Sequence, residues 1–175
     1  REKAGVLRIA QFSDQIRQAE SHGNKEAVKR LQDEKKKFLV EEYRARVQAH
    51  PTDLALHFQL GRALYDVDDV DGAIGEFQQT IRDPRRKIES LTMLGNCFIS
   101  KGMWDLAENQ LRKALEEAPG MTGRTKEILY GLGILKEKQG QAEAALDEFK
   151  KIYEVDIQFK DVAERMDKLK QKLAG

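Results

Sequence analysis

An all-α fold built from repeated helical pairs is what this sequence predicts, and three observations predict it. Prolines number three and aromatics make up 7% of the 175 residues, a composition that favours helices over a β-rich fold. Apolar residues recur at spacings of three and four, the period of one helical face. The third observation is self-similarity at a fixed period. Leu60-Gly61, Leu94-Gly95 and Leu132-Gly133 align, the glycines standing 34 and then 38 residues apart. Twelve residues after each glycine comes Ala73, Ala107 or Ala145, and four further on Phe77, Leu111 or Phe149.

Each repeated feature has a physical reason. Glycine and alanine at facing positions let two helices approach closely, while Leu60, Leu64, Leu94, Phe98, Leu129 and Leu132 fill the seam between them. Gly102 and Gly140, seven residues after the second and third repeat glycines, suit the left-handed backbone of a tight helix–helix turn. Asp68 holds the matching place in the first unit and tolerates that conformation better than most residues. The spacing predicts helices at about 54–66, 70–82, 87–100, 104–117, 126–139 and 142–155. The connector from Ala118 to Thr125 holds Pro119, Gly120, Gly123 and the four extra residues of the longer period, and is predicted to be a mobile loop.

This pattern resembles the tetratricopeptide repeat. The segment from Ile152 to Arg165 in particular looks like the repeat proteins of bacteria. The resemblance covers roughly 108 residues and implies a right-handed α-solenoid of three helix-turn-helix repeats, at about 54–87, 88–121 and 126–159. Three residues depart from the pattern. His57 and Lys136 occupy slots usually apolar, and Thr80 one usually smaller; His57 is read as capping the first repeat and Lys136 as snorkelling.

Stacked repeats leave an apolar face at each end, so caps are expected. Val162, Met166, Leu169 and Leu173 form one stripe on a C-terminal capping helix within 160–175. In the first fifty residues, Ile9, Phe12, Ile16 and Ala19 form another stripe, and Gly23-Asn24 reads as a stop followed by an N-cap. A second, longer helix at about 24–49 carries Val28, Leu31, Phe38, Leu39, Tyr43 and Val47. Residues 1–50 are read as a helical hairpin whose end mimics a degenerate repeat, the alternative being the end of a coiled coil. The chain opens on Arg1-Glu2-Lys3 and reads as a piece of a longer protein, which leaves an upstream coiled coil or membrane anchor open.

No catalytic or metal chemistry is legible. His22, His50 and His57 lie in different elements, and no glycine run forms a phosphate-binding loop. The one cysteine, Cys97, sits beside Gly95 on a packed face and reads as a small buried filler rather than a nucleophile. Asp66, Asp68, Asp69 and Asp71 lack the glycine and distal glutamate of a calcium loop. No enzyme activity, cofactor or metal is expected. Lys35-Lys36-Lys37 and Arg85-Arg86-Lys87 are short and flanked by acids, unlike a nucleic-acid stripe. No stretch is apolar enough for a membrane helix, the mean hydropathy being −0.66, and a cytoplasmic location is expected. Residues 51–159 carry 14 basic and 19 acidic side chains between more basic ends, which points to a basic or mixed-charge partner.

The resemblance implies a protein-interaction scaffold or adaptor whose first helices line a concave groove. Its groove positions fall on Ala55, Phe58, Gln59, Arg62, Tyr65 and Asp66, then Glu89, Thr92, Met93, Asn96 and Ile99. The third repeat contributes Glu127, Tyr130, Ile134, Glu137 and Lys138. A protein or peptide partner is expected there, with Phe58, Tyr65, Tyr130 and Ile134 as exposed anchors. Asn96 matches one position of the carboxylate-gripping chaperone adaptors, but Phe58, Met93, Glu127 and Gly131 replace the others, which argues against that clamp. The alternative is structural: self-association through the N-terminal helices, or association with a cytoskeletal filament, as in bacterial kinesin-light-chain-like proteins.

Overall fold

The computed structural model describes residues 2–174, and among these it contains nine α-helices and no strand. In chain order they are α1 (Glu2–Ser21), α2 (Lys25–Ala49), α3 (Leu54–Tyr65), α4 (Val70–Thr80), α5 (Lys87–Ser100), α6 (Trp104–Glu117), α7 (Gly123–Lys138), α8 (Ala142–Tyr153) and α9 (Val162–Ala174). The chain gathers into two compact units that divide between Thr80 and Ile81.

In the first unit, Gly23 (φ +68°) ends the connection after α1, and the Asn24 side chain accepts the Ala27 N–H at 3.0 Å to start α2. Phe12 is buried and meets the Phe38 ring at 5.8 Å between centroids, while Ile9, Ile16 and Ala19 are half-buried. That stripe is consumed by α1–α2 packing. On its other flank α2 packs against α3. Asp53 caps α3 by accepting the N–H groups of Ala55 and Leu56. The α3–α4 core is Leu60, Ala63, Leu64, Ala73 and Phe77, with the Phe58 ring edge-on to Phe77 at 5.6 Å.

In the second unit, α5 folds onto α6 and α7 onto α8. One core cluster joins Leu91, Ile99, Ala107, Leu111, Ala114, Ile128, Leu132 and Leu135. A second joins Leu129, Ala142, Ala145, Phe149 and Ile152 to Val162, Met166 and Leu169 of α9. Val162, Met166 and Leu169 of α9 therefore close the α7–α8 pair, fully burying each such side chain being worth about 1.5–3 kcal/mol, whereas Leu173, expected in the same stripe, is exposed near the end of the helix.

The repeated glycines mark the closest helix approaches. A Cβ on Gly61 would come within 2.8 Å of the Phe77 ring, and one on Gly95 or Gly133 would strike Leu111 or Phe149. Each glycine thus abuts the large residue of its own repeat. Asp68, Gly102 and Gly140 take φ of +62°, +70° and +76°, so the three short turns share one left-handed geometry.

The third repeat begins earlier than the sequence pattern indicates. α7 starts at Gly123 rather than near 126, because Thr122 and Thr125 form a reciprocal capping box, each side chain taking the other's N–H at 3.3 Å. Thr125 also donates to the Gly120 carbonyl at 2.6 Å, which ties the shortened loop to the helix start.

Candidate functional site

The groove positions lie on α3 in the first unit and on α5 and α7 in the second, and each unit has its own geometry. On α3, Arg62 and Asp66 at its C-cap are exposed, and Gln59 and Tyr65 are half-buried. Phe58 is not a surface anchor. It is 5% exposed and packed on Phe77, because the small Gly61 one turn later leaves room for both rings against the helix.

On α5, Thr92 and Ile99 are likewise interior. Thr92 donates its hydroxyl to the Ile88 carbonyl at 2.8 Å, and Ile99 belongs to the first core cluster of this unit. Glu89 keeps a partly exposed carboxylate bridged to Arg124 of α7 at 3.1 Å. Asn96 is half-buried, with Oδ1 beside Gly131 of α7. On α7, Ile134 packs against both apolar clusters and serves as mortar between them rather than as an exposed anchor.

Lys138 is exposed, whereas Glu127, Tyr130 and Glu137 are engaged by the segment that leads into α9 and by the first turn of α9. Tyr130 donates its hydroxyl to Asp161 at 2.6 Å and accepts from Arg165 Nε at 3.3 Å, and its ring meets Phe149 and Phe159. Glu127 pairs with Lys160 at 2.5 Å, Glu137 with Arg165 at 2.8 Å, and Lys126 with Asp156 at 2.5 Å. Lys160 also lies over the Tyr130 ring at 4.4 Å. Three groove positions, Glu127, Tyr130 and Glu137, are thus satisfied within the chain.

These contacts shift the acidities of the groups that make them. Burial and then the hydrogen bond to Asp161 raise the Tyr130 phenol above its ordinary range. Burial pushes the Asp161 carboxyl up, but the bonds from Tyr130 and Arg165 outweigh it and hold the group below the usual carboxylate range. The Lys126 ammonium does the same for Asp156. Composition and motif could not reveal this cluster. Its one sequence signal is that the partners stand about one repeat apart, Glu127 to Lys160 and Tyr130 to Arg165.

The other flagged residues resolve into packing. Lys136 is 13% exposed along its side chain and donates to Glu108 at 2.7 Å, so it is ion-paired rather than snorkelled free into solvent. Thr80 is buried, with its hydroxyl on the Phe77 carbonyl at 2.9 Å. Cys97 is fully buried, and burial pushes its thiol up to about 12. Among the described residues no group of three or more His, Cys, Asp and Glu side chains could hold a metal, and no helix is long and apolar enough to cross a membrane.

A tetratricopeptide repeat family model matches residues 58–122 and, overlapping them, 92–158. Together these span more than half of the chain. The chain belongs to the tetratricopeptide repeat family. No curated protein matches its sequence. Among solved structures, a crystal structure of MamA superposes with a TM-score of 0.67 at 16% identity, covering 84% of each chain. A second MamA crystal structure gives 0.62 at 15% identity over 93% of this chain and 81% of that one. A third, MamA MSR-1 C2, gives 0.59 at 19% identity over 96% and 88%. At these identities the likeness is one of fold, and it fits the α-solenoid class. Tetratricopeptide repeats are, as a family, protein-interaction scaffolds.

Proposed function

We propose that this tetratricopeptide repeat chain is a non-catalytic adaptor that holds a partner segment on α3 of the first unit, where Arg62 and Asp66 present exposed side chains beside the half-buried Gln59 and Tyr65. The supporting observation is a division of labour. The groove positions Phe58, Thr92, Ile99 and Ile134 go into packing, while Arg62 and Asp66 keep their side chains exposed. Charge adds direction. Residues 51–80 hold six acidic side chains against Arg62 and His57, which favours a partner segment with basic residues. In this reading residues 1–50 and 160–175 flank and cap a repeat array at 51–159.

Capture from the source cell's lysate tests this, with wild type beside Arg62→Ala/Asp66→Ala and Gln59→Ala. A partner held by wild type and lost by these variants, with helicity and unfolding midpoint unchanged, supports the groove. A partner held equally by all three sinks it. Tyr130 is unsuited to the test, because truncating it also removes the Asp161 and Arg165 contacts.

One observation favours self-association as a second reading. On α1, Val6 and Leu7 are 56% and 61% exposed, whereas the Phe12 stripe is spent on Phe38. Val6→Asp/Leu7→Asp should then dissociate an oligomer seen by sedimentation. A monomeric wild type at high concentration would dismiss it, and any filament role would need another surface.

A further inference from the structure

Among the described residues His57 is the one buried histidine, 5% exposed, in a slot where the repeat wants an apolar side chain. Its two ring nitrogens meet two oxygens: Nδ1 lies 2.5 Å from Glu76 Oε2 of α4, and Nε2 lies 2.9 Å from the Pro51 carbonyl oxygen. A peptide carbonyl can only accept a hydrogen bond, and an ionised carboxylate can only accept. A neutral imidazole offers one donor and one acceptor, so it cannot satisfy both. The arrangement is complete only when a second proton lies between the ring and Glu76, making an imidazolium–carboxylate pair.

We propose that His57 is a proton-dependent latch that holds the Pro51 connector, and with it the α2–α3 junction, against α4. The bonded atoms come from three places in the first unit. Pro51 belongs to the turn after α2, His57 to the first turns of α3, and Glu76 to the middle of α4. Other charged groups near the junction have partners of their own or face solvent, as Arg62 of α3 does. Glu42 and Arg46 of α2 pair at 2.7 Å, Asp53 caps α3, and Asp69 caps the N–H of Gly72 at 3.0 Å. Of the acids on α4, Asp71 is exposed and Glu76 is the one that bonds the ring.

The sign follows from the chemistry. While the proton is held, both oxygens are satisfied and the latch is closed. When rising pH removes it, the ring keeps its Nε2 hydrogen for Pro51 and turns an Nδ1 lone pair toward the Glu76 carboxylate. That contact is repulsive in a site where little water can screen it. The latch is therefore closed at lower pH and opens as pH rises.

Nitrogen-15 NMR of the wild-type chain tests this without any variant, since His22 and His50 are both exposed and serve as internal references. Expected are two protonated ring nitrogens for His57 at neutral pH and loss of its proton at higher pH than the two references. Amide protection at residues 51–57, corrected for intrinsic exchange, should fall over the same pH range while that of α5–α8 holds. In Glu76→Gln, the amide can donate to a neutral ring, so the His57 transition should move down toward the references and the protection change should vanish. A neutral His57 tautomer in wild type at pH 7, or a transition unmoved by Glu76→Gln, would overturn the latch.

Discussion

Gly95 shows how much one residue carries. It is the contact point of α5 and α6, where an added methyl group would meet the Leu111 side chain well inside van der Waals distance. Overpacking of this kind costs about 1–3 kcal/mol, so Gly95→Ala should lower the urea midpoint without changing the slope; an unchanged midpoint would mean Leu111 swings aside freely. Cys97 lies two residues on, fully buried, with its thiol pushed up to about 12. The thiolate is the reactive form, so native protein should resist a disulfide reagent, with labelling no faster than opening of the second unit; rapid labelling would refute the burial. Both roles were legible in the sequence, because a small residue recurring at a fixed offset marks where two helices come close. Phe58 was not. The resemblance to the repeat family assigned it to the groove, and only its packing on Phe77 across the α3–α4 seam shows it turned inward.

The helix start at Gly123 belongs to the scale of the element. The Thr122–Thr125 capping box supplies two of the hydrogen bonds a helix end lacks. Thr122→Ala should therefore cost about 1 kcal/mol, read as a lower thermal midpoint and faster exchange in the first turn of α7. The docking of α9 has its own pH signature. Lys126 holds Asp156, and Tyr130 with Arg165 holds Asp161, below the ordinary carboxylate range. A depressed folded pKa contributes stability above the unfolded value, about 3.9 for aspartate, and loses it as pH falls through the folded value. The α7–α9 contact should thus loosen below about pH 4, seen as exchange at α9 rising ahead of α5 and α6. Asp156→Asn/Asp161→Asn should flatten that dependence, and an α9 that opens no earlier than α6 would count against it.

At the scale of the whole molecule, repetition is what made the architecture readable. One set of offsets written three times specifies helix pairs, turns and caps together, and the three left-handed turns follow it at Asp68, Gly102 and Gly140. The adaptor reading belongs here too. Its expected outcome is loss of a captured partner in Arg62→Ala/Asp66→Ala at unchanged stability, measured by pull-down and chemical unfolding. By itself the sequence determined the helical class, the repeat family, the seams where each repeat glycine meets a large apolar side chain, and the Val162, Met166 and Leu169 part of the α9 stripe. Those are short-range consequences of periodicity and side-chain size. Only the tertiary structure decided which of the residues read as groove positions keep exposed side chains. Glu127, Tyr130 and Glu137 are answered by Lys160, Asp161 and Arg165, residues about one repeat away. His57 is completed by Glu76 and the Pro51 carbonyl. Charge and hydrogen-bond partners chosen across a turn or a repeat leave no local pattern, so they appear only once the backbone has brought them together.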